Sequence, residues 1–263
     1  MSAPVVHSIE DGVASIRLNR PDKLNAFTAD LHAAFRQALD SIEQATGLSC
    51  VLLTGSGRAF CAGQDLNERA PPPGQPPTDI GATLARDMNP LISRLRALPV
   101  PVVAVVHGVA AGAGASLALA ADIVVAGRSA KFSFTFGKIG LIPDGGATWI
   151  LPRLVGPARA MGLALTGEAI TADQAADWGL IWKTVEDDAL LAEVDRLAAY
   201  FRSQPRAALA ATKTALQTAW NSTLQEQLEL ERVTQQRLGF SADYAEGVKA
   251  FLKRRAPQFG QVQ

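Results

Sequence analysis

An α/β fold is predicted for this chain, and three observations carry the prediction. Short β-branched runs, "CVLLTG", "VVAVV" and "IVVAG", alternate with stretches of helical periodicity. Such alternation is the signature of strands layered against helices. The run from residue 100 to 127, "VPVVAVVHGVAAGAGASLALAADIVVAG", changes character along its length and reads as buried strand, helix and buried strand. Finally, turns rich in small residues, "FCAGQDL" and "HGVAAGAGAS", follow two of the strands, where a chain leaving a sheet for a helix needs tight curvature.

Taken in order, the N-terminus opens on two alternating runs, "VVHSI" and "VASIRL", separated by Asp11-Gly12, a hairpin signal. "NRPDKLNAFT" reads as a loop, and residues 28–45 as a helix capped by Thr28. "CVLLTG" is a short apolar strand ending in the turn "GSGR". Residues 70–80, "APPPGQPPTDI", read as a mobile loop because proline removes donors and blocks helix. A helix is expected over 82–98, then the strand–helix–strand, then the apolar stretch "FSFTFGKIGLIPDGG". Helices dominate after about residue 157. The last sixty residues carry amphipathic helices without strands, such as "EQLELERVTQQRL" and "YAEGVKAFLKRR". Those helices either fold back on the core or cover another subunit.

Composition narrows the function. The chain has 263 residues, 48% of them apolar, with 25 basic and 25 acidic side chains. A balanced charge gives no global field to recruit nucleic acid or an anionic membrane. Two cysteines, Cys50 and Cys61, make no disulfide framework. The start lacks a basic n-region and an apolar h-region, so no signal peptide is expected. A soluble protein of a reducing, cytoplasmic compartment is the expectation. Gly108 and Gly112 form a G-x-x-x-G spacing in the longest apolar run, but a membrane span there competes with the changes of periodicity just described.

Three features could carry chemistry. Small residues at a helix start leave backbone N–H groups free, and two such turns converging would make an oxyanion hole. Each turn taken alone equally suits plain strand–helix packing. The second turn is neither a dinucleotide fingerprint nor a P-loop, since the third glycine and the lysine are missing. Gly114-Ala115-Ser116-Leu117-Ala118 is a G-x-S-x-A pattern, and a hydrolase would need Ser116 activated by His7, His32 or His107. Asp144 sits in "LIPDGGATW" after a mostly apolar run. It is a turn residue at least, and a desolvated carboxylate if that run is buried.

The motifs "NRPDKLNAF", "FCAGQDL", "HGVAAGAGASLALAADIVVAGRSAKF" and "GLIPDGGATWILPRLVG" together resemble the crotonase, or enoyl-CoA hydratase/isomerase, superfamily, from about residue 5 to the C-terminus. The resemblance implies stacked ββα turns forming a spiral core over 1–204 and a C-terminal helical region over 205–263 used for trimerisation, with trimers pairing as hexamers. It implies an acyl-CoA thioester substrate and no metal or redox cofactor. It makes the backbone N–H groups of Gln64 and Ala113 the oxyanion donors. It assigns coenzyme A binding to Lys23, Leu24, Ala26, Ala62, Asp65 and Leu66, with Phe251 and Lys253 contributing across a subunit boundary.

Departures from the superfamily pattern are as informative. Hydratases in it hold two glutamates, which fall here on Ser116 and Phe136, and the resemblance places both among the substrate contacts. Hydration needs a base for water and an acid for carbon, and neither position supplies one. Asp144 is left as a single acid/base, which suits a proton shuttle. "AGQDL", "GLIPD", "ARAMGLALTGE" and "SADYAEGVKAFLKRRAPQF" most resemble a branch of the superfamily that isomerises aromatic ring-epoxide thioesters. The expected activity is therefore acyl-CoA isomerisation of an aromatic or 3-enoyl thioester, with Phe132, Phe134, Phe136, Ile139 and Leu141 forming an apolar surround for Asp144. Enoyl-CoA hydration, serine-dependent hydrolysis and non-catalytic acyl-CoA binding are the competing readings.

Overall fold

A computed structural model describes residues 2–260 apart from 71–73, 75 and 77. In chain order the elements are β1 (Val5–Glu10), β2 (Val13–Leu18), α1 (Ala29–Gln44), β3 (Cys50–Gly55), α2 (Ile80–Thr83), α3 (Asn89–Ala97), β4 (Val102–Val106), β5 (Val109–Ala111), α4 (Ala113–Leu119) and β6 (Ile123–Gly127). There follow β7 (Lys131–Ser133), α5 (Ala147–Thr166), β8 (Ile170–Thr171), α6 (Ala172–Asp177), β9 (Lys183–Val185), α7 (Leu190–Arg202), α8 (Arg206–Ala219), α9 (Leu224–Gly239) and α10 (Ala242–Leu252).

Two sheets organise the core. The larger runs β1-β2-β3-β4-β6-β9 and the smaller β5-β7-β8. Only β1–β2 in the larger sheet is antiparallel, closed by Asp11 and Gly12, both at positive φ. Successive turns of the chain place one strand in each sheet. β4 leads to β5, β6 leads to β7, and after β3 Cys61 bridges to Ala110 of β5. Repetition of that step with an intervening helix is the ββα spiral.

Burial on both faces explains why the central strands read as unbroken apolar runs. In β4, Val102, Ala104 and Val106 face the main core, while Val103 and Val105 face a second core closed by Leu190, Val194, Leu197 and Phe201 of α7. β2 is covered on one face only. Ala14, Ile16 and Leu18 are buried and Arg17 is exposed, so its sequence alternates.

The elements depart from expectation in two places. The helix expected over 82–98 is α2 and α3 joined by a π-helical turn over Leu84–Met88. Pro90 follows that turn and has no N–H to close an α-helical bond. An additional helical segment precedes residue 157: α5 begins at Ala147 and kinks at Gly156 (φ 75°, ψ 165°), just before Pro157. Within the proline-rich loop expected over 70–80, residues 71–73, 75 and 77 lie outside the described residues; Asp79 caps α2 through the Ala82 N–H at 2.9 Å.

Beyond residue 205, α8 folds back on its own core. Lys213 pairs with Asp122 at 2.7 Å, and Trp220 packs on Trp149 with ring centroids 4.5 Å apart. α9 in turn packs on α8, Gln227 Nε2 donating to the Ala215 carbonyl at 3.0 Å. Among the described residues no helix is long and apolar enough to cross a membrane. Cys50 and Cys61 are both buried and free.

Candidate active site

The loop "NRPDKLNAF" is built around Asn25, which is fully buried and left-handed at φ 57°. Its Nδ2 donates to the carbonyls of Ser56, Ala59 and Phe60, and its Oδ1 accepts from the Arg20 N–H at 2.8 Å. Clamped in this way, the loop lies along the turn after β3. The Ala62 N–H donates to the Leu24 carbonyl at 2.9 Å, the Phe27 N–H to Gly63 at 2.7 Å, and the Asp65 N–H to Phe27 at 2.9 Å. Gln64 also spends its side chain here, Nε2 donating to the Phe27 carbonyl at 2.9 Å.

The two small-residue turns converge. A Cβ on Gly63 (φ 95°) would stand 2.8 Å from the Ala111 carbonyl oxygen and 3.4 Å from the Ala113 nitrogen. A Cβ on Gly114 would overlap the Cys61 carbonyl. Glycine at both positions is thus the condition for close approach. Gly112, at φ 52° and ψ −126°, turns the chain so that Ala113 becomes the first residue of α4. The Ala113 N–H is one of the orphans every helix start leaves. Ala113 itself has an ordinary negative φ, since it is not among the residues at positive φ. Among the described residues the Gln64 N–H has no intramolecular acceptor either.

Asp144 lines the same cavity as these groups. It follows Pro143 and precedes Gly145 and Gly146, both left-handed, and its carbonyl accepts from the Ala147 N–H at 3.1 Å at the start of α5. The turn reading is correct as far as the backbone goes. The side chain does something else: Oδ1 is buried without a hydrogen-bond partner. Burial pushes the carboxyl up to about 6, against the opposing influence of Arg69.

Gln64, Ala113 and Asp144 line one cavity of about 540 Å³. Ala62, Leu66 and Phe136 join them there, as do Ile139 and Leu141. Other expected residues fall elsewhere. Phe132 and Phe134, on and just after β7, are fully buried in the main core and do not line the cavity. Ser116 is fully buried; its Oγ donates to the Gly112 carbonyl at 3.3 Å and its Cβ supports Gly145 from below. No imidazole reaches it among the described hydrogen bonds, so the hydrolase reading loses its nucleophile, and Ser116 as a substrate contact is corrected to a residue that holds up the Asp144 turn. Asp65 caps a short turn through the Asn67 N–H at 3.2 Å and pairs with Arg20 at 3.1 Å, which makes its carboxylate part of the loop rather than of the cavity wall. Lys23, Leu24 and Ala26 lie on the clamped loop beside that wall without lining it, and Phe251 (83% exposed) and Lys253 on and after α10 do not line this chain's cavity.

Sequence reasoning overlooked several residues of the wall: Arg69, Ile80, Leu84, Met88, Thr135 and Lys138, and His32, considered above only as a partner for Ser116. The helical periodicity of 80–97 could have flagged Leu84 and Met88 as one face, but nothing in their spacing says that the face borders a cavity.

A spiral of ββα turns that brings two free amides and one partly desolvated carboxylate to the wall of one largely apolar cavity defines an enzyme built to stabilise a developing oxyanion and to move a proton. The description "Enoyl-CoA hydratase/isomerase" belongs to the family model that matches residues 8–262, and the chain belongs to that family. It is 51% identical over 255 residues to the 1,2-epoxyphenylacetyl-CoA isomerase of Escherichia coli, covering 97% of each chain. It is 46% identical to a Rhodobacter capsulatus protein that carries an enoyl-CoA hydratase name, covering 96% of each. An enoyl-CoA hydratase of Bacillus anthracis superposes with a TM-score of 0.91 at 30% identity, over 97% of this chain and 98% of that one.

Proposed function

We propose that the protein isomerises acyl-CoA thioesters by a single-carboxylate proton shuttle, and that its substrate is ring-1,2-epoxyphenylacetyl-CoA, converted to oxepin-CoA. One observation carries the reading. A carboxylate with a buried, unpartnered oxygen faces the same cavity as two unused backbone N–H groups, and Phe136 lines that cavity at a position where the family's hydratases hold an acid.

The thioester oxygen sits between the N–H groups of Gln64 and Ala113. Asp144 removes a proton from the α-carbon, and the electron pair left behind moves onto that oxygen. Return of the same proton further along the conjugated system completes the hydrogen shift; with the ring epoxide, the carbon–carbon bond shared by the epoxide and the six-membered ring opens as well, so the oxygen enters a seven-membered ring with no atom lost and no water added. Each oxyanion donor is worth ~10²–10³ in rate. Because the shuttle acts on any acidic α-carbon, 3-enoyl to 2-enoyl isomerisation is the same chemistry on a simpler chain. The 51% identity to an epoxyphenylacetyl-CoA isomerase supports the aromatic substrate.

Coenzyme A would run along the clamped loop, over Lys23, Leu24 and Ala26, to reach Ala62 and Leu66. Phe251 and Lys253 would meet it from a neighbouring subunit of a homotrimer or a pair of trimers. The shuttle needs no cofactor beyond the coenzyme A already in the substrate, and the balanced charge of the chain supports a soluble cytoplasmic enzyme that binds neither nucleic acid nor membrane.

The test is Asp144→Asn against a panel of thioesters. Turnover of the epoxyphenylacetyl and 3-enoyl esters should fall by ~10²–10⁴, the usual contribution of a positioned base. Exchange of the α-proton with deuterated solvent should stop while thioester binding persists. Retention of more than about a tenth of native turnover, a loss short of the general-base range, would show that another group moves the proton. Efficient hydration of a 2-enoyl ester by the native protein would overturn the single-carboxylate reading.

A further inference from the structure

One buried polar side chain in the cavity wall has no part in the proton shuttle. His32, the fourth residue of α1, is only 2% exposed, yet it lines the cavity with Gln64, Ala113 and Asp144. Its ring lies against Phe27, centroids 4.7 Å apart and planes 18° from parallel, which fixes the imidazole plane. Its Nδ1 is buried without a hydrogen-bond partner. Asp87 is the acidic group that acts on it, but that carboxylate is already taken by Arg36 at 2.8 Å and Arg86 at 2.7 Å. Nε2 also makes no hydrogen bond among the described residues but is not shut off as Nδ1 is, so it is the ring nitrogen that opens on the cavity.

We propose that His32 is a specificity-determining residue, donating a hydrogen bond into the cavity to an ether-type oxygen carried by the acyl group. The inference rests on the isomerase reading above and names what the acyl pocket selects. Burial lowers the imidazole to about 4 despite Asp87, so the ring is neutral in the working range and carries one donor and one acceptor. An unpaired buried acceptor is tolerated more readily than an unpaired donor. With nothing beside Nδ1 to receive a proton, the N–H belongs on Nε2. The wall sets Thr83, Thr135 and Asp144 among apolar residues, but none of these three hydrogen-bonds the imidazole among the described residues, so a donor there is costly unless a ligand meets it. A ring-bound ether or epoxide oxygen can only accept, which complements that donor, whereas a hydrocarbon chain leaves it unpaired.

Binding of a matched pair of thioesters tests this independently of turnover. Tetrahydrofuran-2-ylacetyl-CoA and cyclopentylacetyl-CoA differ by one ring oxygen. The native protein should bind the oxygen-bearing ester tighter by ~10-fold, the scale of leaving one buried donor unmet. His32→Leu should erase that preference. His32→Gln, whose Nε2 can still donate, should retain most of it. Equal dissociation constants for the pair in the native protein overturn the inference, as does a preference that survives His32→Leu. Failure of the native enzyme to isomerise epoxyphenylacetyl-CoA sinks the isomerase reading instead, and the binding pair still decides the role of His32.

Discussion

At the scale of the residue, Asp144 holds two roles that pull in different directions. Its backbone serves a Pro-Asp-Gly turn, which any polar residue could do. Its side chain keeps one oxygen buried without a partner, which the turn does not require. Burial raises the carboxyl from its ordinary value to about 6 and Arg69 holds it down. Those two influences set a pH profile. The base works only when ionised, so kcat/KM should fall as pH drops through about 6 and level off above it. Arg69→Gln removes the opposing positive charge, so the same fall should move to higher pH. A profile that stays put, or moves lower, in the variant would mean that Arg69 does not act on the titrating group. Asp144 was readable as a candidate from its neighbours in sequence. His32 was readable only as a histidine, because neither its stacking on Phe27 nor the occupation of Asp87 by two arginines leaves any trace in local spacing.

Elements make the site through close approach. The loop after β1 and β2, the turn after β3 and the start of α4 meet where glycine permits it. Gly114 is inside α4 with ordinary helical geometry, so its need for glycine comes from Cys61 across the gap rather than from backbone strain. Gly114→Ala would drive a methyl group into the Cys61 carbonyl. We expect a loss of ~1–3 kcal/mol in stability, the range for overpacking, measured by denaturant unfolding. The two amides should be pushed apart as well, lowering turnover beyond what the stability change explains. Native-like stability in Gly114→Ala would show that the turns are not in contact. The π-helical turn at Leu84–Met88 is the element that sequence periodicity missed, since an extra residue in a turn preserves the apolar composition and changes only the phase.

At the scale of the whole molecule, the last two helices carry apolar side chains that this chain's own packing leaves uncovered. α8 is docked by Lys213, Gln217 and Trp220, but Leu224, Phe240, Tyr244, Phe251 and Leu252 on and beside α9 and α10 are exposed. Apolar side chains gathered along helices in this way are covered in an assembly as a rule. Light scattering should therefore show an assembly, and a trimer or a multiple of it is the mass that the family resemblance implies. A clean monomer at micromolar concentration would overturn the assembly and with it the reach of Phe251 and Lys253 to a neighbour's coenzyme A.

The chain order of strands and helices, the cap at Thr28, the hairpin at Asp11-Gly12 and the burial of the central strands were determined by the sequence itself, because each rests on contacts or periodicities spanning a few residues. The candidate base and the two amide donors came from the family resemblance that motifs in a fixed order carry, and the fold brings all three to one cavity. Tertiary structure alone decided which side chains share the cavity. It moved Phe132, Phe134 and Ser116 into the core and turned Asp65 toward Arg20, and it brought His32, Arg69 and Met88 to the wall. Those placements depend on elements tens of residues apart meeting in space, and a cavity is the gap their packing leaves, which no local pattern encodes.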